Sequence, residues 1–360
     1  VFDINDFDET LPGPFEWDVK RLAASFVVAG RDNGFNAKKC HKVVLTAVRS
    51  YRESMRAFAE QPILAVWYAR LDVEETVTQY KATMSSKELK RRKADLKAAE
   101  GRLAKAYSRD SLQAIGKLTT VVDGRRQIVS DPPLIVPLTE LAGLDTADVL
   151  DRLQKLITSY RDTLQADRRR LLDHFRLVDV AHKVVGVGSV GTRAWILLLA
   201  STVEDEALVL QAKQAGPSVL SEYAGASEHV NQGERVVAGQ RLMQGASDIF
   251  LGWLRADTAD GEQDYYVRQL RDWKMSADIE AMTPAAMDLY ARLCGWTLAR
   301  AHARSGDRYA IAAYLGQSDR FDHAVADFAT TYADQNERDH AALAAAASSG
   351  RVAAQDPLEH

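Results

Sequence analysis

The chain has 360 residues, 46% of them hydrophobic and 27% charged, with a formal net charge of -4 and two cysteines. That length predicts about two domains or lobes with buried cores, and the acidic balance leaves no whole-chain argument for nucleic acid or an anionic membrane. Cys40 and Cys294 are too few and too far apart to make a zinc set or a disulfide framework, no apolar run reaches the roughly 18 residues of a membrane span, and no basic-then-apolar leader opens the chain, so a reducing cytoplasm is expected.

The opening stretch VFDINDFDETLPGPFEWD carries Asp3, Asp6 and Asp8 on a strand-like run, breaks at Pro12, Gly13 and Pro14, and opens a helix near Trp17 and Asp18. Carboxylates at a strand end suit a hard divalent ion such as magnesium, which takes one or two protein carboxylates and fills its other positions with water and phosphate. Acidic clusters also occur in ordinary turns, where Asp bonds its own backbone. Val1 already lies inside the strand-like run, so an upstream extension is expected, and Leu358, Glu359 and His360 resemble the start of a cloning tag.

Trp17, Leu22, Ala23, Phe26 and Val27 recur at helical spacing before Gly30. Asn36 can cap a second helix whose Val43, Val44, Ala47, Val48 and Tyr51 share a side, and Pro62 starts a third. The stretch 86–109 is rich in Lys and Arg. It reads as a solvated basic helix, with phosphate or nucleic-acid contact as the alternative. Asp123-Gly124 marks a hairpin turn, Pro132, Pro133 and Pro137 an extended connection, and 146–175 a further helix. Near Leu177 the texture turns to short β runs.

Gly186, Gly188 and Gly191 form GxGxxG around Ser189, a pattern shared by hairpins and dinucleotide folds. An apolar strand and then a further strand follow, where a Rossmann fold would want a helix. The third strand places Gln211 and Lys213 on one face. In protein kinases a glycine-rich loop covers nucleotide phosphates while a lysine on the third strand contacts them and pairs with a helical Glu. By that template Pro217 starts the helix, Glu222 is the partner with Glu228 second, and Gln269 and Leu270 occupy the hinge where adenine would bond the backbone. The alternative is an ordinary sheet with a solvated Lys213. The runs 235–244 and 264–274 are expected as two further strands, separated by 247–254 and a polar loop. A helix from Pro284 leads into ARAHARSGD. His302 there is expected to be structural or solvent-facing. Asp307 fits a catalytic loop poorly, because Ala312 stands where that loop wants Asn. A last helix from Phe321 to Leu343 decays into an Ala-rich tail.

The segments 1–25, GVGSVGTR, GQRLMQ, YYVRQLRDWK, ARAHARSGD and YADQNERD together resemble the uncharacterised bacterial family called domain of unknown function 2252, over nearly the whole chain. Its members carry a GDxHxxN segment just upstream of the first strand. That segment followed by DINDFDE and EWDVKRLA is similar to the catalytic loop, metal-binding Asp and following helix of aminoglycoside phosphotransferases. The resemblance implies Asp6 as the metal-binding Asp, Asp8 as a nearby acidic helper and Asp18 as the Asp opening the next helix. The glycine loop and lysine follow this motif instead of preceding it. The implied fold is therefore α+β and kinase-like, two-lobed and circularly permuted, with a predominantly helical lobe and a small antiparallel β lobe. The expected parts are a helical lobe at 1–177, a nucleotide-binding β lobe at 178–275, C-terminal helices packing on the helical lobe at 276–345, and a tail at 346–360.

The implied function is ATP- and Mg2+-dependent phosphoryl transfer to an unnamed small-molecule or protein acceptor. Asp6 and Lys213 would be catalytic, and Asp6 and Asp8 would hold the metal. Gly186, Gly188, Ser189, Gly191, Lys213, Glu222 and Gln269 would bind the nucleotide. The base is expected in the upstream segment. The alternatives are a non-catalytic nucleotide-binding or scaffold protein and, disfavoured by charge, a nucleic-acid-associated protein acting through 86–109.

Overall fold

A computed structural model of the chain describes residues 2–72, 78, 116, 118–122, 124–138, 140, 146–184, 193–203, 206–258, 261–270 and 277–353. In chain order these form α1 (Phe15–Asp32), α2 (Ala37–Glu60), α3 (Ile63–Tyr68), β1 (Thr119–Val122), β2 (Arg125–Ile128), β3 (Ile135–Pro137), α4 (Thr146–Asp162) and α5 (Ala166–Leu172). There follow β4 (Phe175–Lys183), β5 (Ala194–Ser201), β6 (Ala207–Ala215), α6 (Ser221–Ala224), α7 (Gln232–Met243), β7 (Gly252–Thr258) and β8 (Gly261–Gln269). Last come α8 (Pro284–Ser305), α9 (Arg308–Leu315) and α10 (Arg320–Ser348). The protein is α+β, and its strand pairings among the described residues are antiparallel. Among the described residues no helix is long and apolar enough to cross a membrane.

By compactness the chain divides into two units. The first holds the described residues of 1–4, 13–96 and 277–360, and the second those of 5–12 and 97–276. The first unit is helical. The Asn36 side chain accepts from the Lys39 N–H at 3.0 Å and starts α2, whose Val43, Val44, Ala47, Val48, Tyr51 and Met55 are buried. α8 packs along α2 through Met287, Ala291, Gly295 and Leu298. Gly295 permits that approach, since a Cβ there would collide with the Ala47 carbonyl. α10 lies along α1 with Val325 and the small Ala326, Ala329 and Ala333. One charged pair is fully inside this core: Arg52 donates to Asp322 through Nε at 2.9 Å and Nη2 at 2.8 Å.

The second unit is built on a sheet of order β3-β4-β5-β6-β8-β7, with β1 and β2 forming a separate hairpin around Gly124. Because side chains alternate, each strand serves two faces. Leu197, Leu199, Leu210, Ala212, Leu254, Tyr265 and Val267 join Ile157, Tyr160 and Leu164 in one core. Ile196, Leu198 and Val209 of the opposite face join Ile128 of the hairpin in another. Lys213 continues that second face, being two steps along the strand from Gln211, the cross-strand partner of Ile196.

The run 235–244, expected as a strand, lies in helix α7. Its β-branched Val236 and Val237 are strand-like in isolation, but the Asn231 side chain accepts from the Glu234 N–H, and Gly233, Val236, Val237 and Gln240 are buried at helical spacing. Packing of that face overrides local propensity. The stretch 252–258, expected mostly as connection, is strand β7 with alternating burial. Pro217 starts no helix; the helix that follows is the single turn α6. The helix expected across 146–175 is two, α4 and α5, separated at 163–165. Leu177 lies inside β4, and α4 and α5 belong to the unit that holds the sheet. At the start of the chain only Phe2 makes a β-bridge, to Leu71, so Asp6 and Asp8 sit on irregular backbone and not at the end of a ladder.

Candidate functional site

Asp6 and Asp8 flank Phe7, whose side chain is buried. Asp6 holds φ at 69°, the left-handed region, which Asp tolerates better than most residues and which costs of order 1 kcal/mol. The carboxyls of Asp6 and Asp8 lie within hydrogen-bonding reach of each other. The hydrogen bond with Asp8, burial and the Asp8 charge together raise Asp6 above the ordinary carboxylate range, against the pull of Lys213 and Arg268. Burial pushes Asp8 up as well, but the hydrogen bond from Asp6 and the Lys213 charge, with Tyr266 and Arg268, outweigh it and hold Asp8 below its ordinary value.

The sheet supplies the positive side of the site. Lys213 on β6 and Tyr266 on β8 are cross-strand partners, as are Gln211 and Arg268 two residues along, so all four side chains stand on one face. Lys213 Nζ lies 3.7 Å from Asp8 Oδ2 and 6.0 Å from the centre of the Tyr266 ring. The Tyr266 hydroxyl donates to Asp8, and burial together with the Asp8 charge raises that phenol far above its ordinary value. Arg268 Nη1 is 3.4 Å from Asn5 Oδ1, and its Nη2 is 3.4 Å from Gln211 Oε1.

The acidic turn is held in place by groups that have no obvious signal in the sequence. Arg235 of α7 donates to the main-chain carbonyls of Thr10, Asp8 and Gly216 at 2.7, 2.8 and 2.9 Å. Ser218 Oγ donates to the Glu9 carbonyl at 2.9 Å, and the Val219 N–H donates to Glu9 Oε2 at 2.8 Å. Gly239 of α7 leaves room for the Thr10 side chain.

The other expected site residues distribute as follows. Gly186, Gly188, Ser189 and Gly191 lie outside the described residues, as does the basic stretch 86–109. Glu222 is exposed on α6 and Glu228 stands 3.7 Å from His229, whereas the carboxylate next to Lys213 is Asp8. The Gln269 N–H donates to Asp248 Oδ2 at 2.8 Å and the Leu270 N–H to the Val209 carbonyl at 2.9 Å, so both hinge donors are already engaged. Asp3 is not in the cluster; it pairs with Arg300 of α8 within the first unit. In that unit too, His302 Nδ1 is 2.8 Å from the Tyr51 hydroxyl and its Nε2 is 3.2 Å from Asp18 Oδ2, a buried structural histidine. Asp307 caps α9 by accepting from the Tyr309 and Ala310 N–H groups.

Two carboxylates with oxygen donors only, beside a lysine and an arginine, fit a hard cation shared with an anionic ligand. Among the described residues no group of three or more His, Cys, Asp or Glu side chains gathers as a closed metal cage.

Fold and site thus define an α+β protein with a carboxylate–lysine centre on an antiparallel sheet. A family model, domain of unknown function 2252, described as an uncharacterized protein conserved in bacteria, matches residues 1–346, and the chain belongs to that family. No curated protein and no solved structure matches it.

Proposed function

We propose that the protein is a kinase-like, ATP- and Mg2+-dependent phosphotransferase. The observation that carries this reading is the 3.7 Å approach of Lys213 Nζ to Asp8, with Asp6 hydrogen-bonded to the same carboxylate. Lys213 on an interior strand of the sheet, followed by α7 and then by β7 and β8, supports it, because protein kinases also carry their phosphate-binding lysine on a strand that a helix follows. In this reading Lys213 binds the α and β phosphates, and Asp6 with Asp8 holds magnesium. The metal would neutralise charge on the transferring phosphoryl group. Positioning and charge neutralisation supply most of the rate in such reactions.

A thermal shift by ATP that requires Mg2+ and is lost in Lys213→Ala and Asp6→Ala tests the site. Transfer of labelled γ-phosphate by the full-length protein tests turnover. A melting temperature unmoved by ATP and ADP sinks the reading. The engaged Gln269 and Leu270 amides weigh against adenine bonding at that hinge, whether or not phosphate is transferred. The second reading is a nucleotide-binding scaffold without turnover. Binding without transfer would select it.

A further inference from the structure

We propose that Arg235 is the positioning residue of this centre, tying the acidic turn to the lysine strand through main-chain carbonyls. The inference rests on the phosphotransferase reading only for what the centre does, not for how it is held. In the kinase template the helix after the third strand supplies a Glu to the lysine. Here the corresponding helix, α7, supplies an arginine, and the lysine meets a carboxylate from the start of the chain.

The guanidinium is only 3% exposed and uses four of its five N–H donors. Its Nε donates to Gln232 Oε1 at 2.8 Å, which fixes the orientation of the fork. Its Nη1 takes the Thr10 carbonyl at 2.7 Å. Its Nη2 takes both the Asp8 carbonyl at 2.8 Å and the Gly216 carbonyl at 2.9 Å. Gly216 directly follows β6, the strand of Lys213. One planar group therefore bridges the backbone of the metal-binding turn and the end of the lysine strand, and sets the distance between Asp8 and Lys213. Burial pushes this guanidinium below its ordinary value, and the nearby Glu9 and Asp8 carboxylates offset part of that cost. Lysine, with a single compact ammonium, cannot span three carbonyls in this way.

The test uses the full chain with Arg235→Lys and, as a milder change that removes only the orienting bond, Gln232→Ala. The first readout is the acylation rate of Lys213 by an amine-reactive ester, followed by peptide mass spectrometry. The Lys213 side chain is 15% exposed in the intact site, so it should react slowly while the turn stays in place. A several-fold faster acylation in folded Arg235→Lys, with a smaller rise in Gln232→Ala, is expected. The Mg2+-dependent ATP shift should fall in the same order. A merely structural arginine would lower the melting temperature of both variants and leave Lys213 reactivity in the folded protein unchanged, and that result overturns the proposal. If Gln232→Ala alone folds and reacts like wild type, the proposal fails as well. If Lys213 becomes reactive but wild type shows no ATP shift, the positioning role stands and the phosphotransferase reading falls.

Discussion

Lys213 Nζ stands 3.7 Å from Asp8 Oδ2, so the lysine of β6 takes its carboxylate from the opening stretch of the chain and not from the helices that follow the strand. Tyr266 and Arg268 on the neighbouring strand stabilise the same carboxylate, while the hydrogen bond with Asp8 and burial push Asp6 the other way.

The two acids respond to pH with opposite sign. Asp6 is raised above its ordinary 3.8, so its contribution to stability is present below the unfolded value and is lost as pH rises through the folded value. Asp8 is lowered, so its contribution is present above the unfolded value and is lost as pH falls through the folded one. Asp6→Asn keeps a neutral hydrogen-bonding side chain. In metal-free melts its stability relative to wild type should therefore grow from acid towards neutrality. A flat or inverted difference would contradict a raised Asp6.

Magnesium should reverse that order. Binding requires Asp6 to lose its proton, so the ion should stabilise wild type more as pH rises and leave Asp6→Asn unmoved. Melting curves with and without Mg2+ at two pH values decide it. An equal Mg2+ shift in both proteins would remove Asp6 from the metal site.

Asp307→Ala separates a helix cap from a catalytic acid. The side chain accepts from two N–H groups at the start of α9, and losing such a cap costs about 1 kcal/mol. Denaturant unfolding should show that loss, while the ATP shift and any phosphate transfer stay at wild-type levels. An abolished ATP shift in folded protein would make Asp307 part of the site.

The Arg52–Asp322 pair tests the helical core. Asp322 is completely buried, so Asp322→Ala strands a buried guanidinium and should cost about 3–5 kcal/mol in denaturant unfolding. The double change Arg52→Met with Asp322→Leu should recover most of it, because the desolvated charge goes with the pair. A double variant as unstable as the single one would show that the pair itself, and not the stranded charge, matters.

Gly295→Ala should be destabilising by about 1–3 kcal/mol, since the added methyl meets the Ala47 carbonyl and forces α2 and α8 apart. Unfolding midpoints measure it, and an unchanged midpoint would mean the two helices yield without loss.

The chain's own pattern determined the helices with a strong apolar period and a cap, such as α2 with Asn36, and the hairpin around Gly124, because both signals lie within a few residues of each other. It also singled out Asp3, Asp6, Asp8 and Lys213, since acids in a turn and a lysine on an apolar strand stand out from their neighbours, while only the family resemblance narrowed the acids to Asp6 and Asp8. Tertiary structure decided what local pattern cannot carry. It made 232–243 a helix, because the buried face of Val236 and Val237 outweighs their strand preference. It gave Lys213 the distant Asp8 in place of Glu222, sent Asp3 to Arg300, and brought Arg235 onto three carbonyls whose acceptors have no side-chain signature. Partners chosen through backbone carbonyls and across hundreds of positions leave no spacing in the sequence to read.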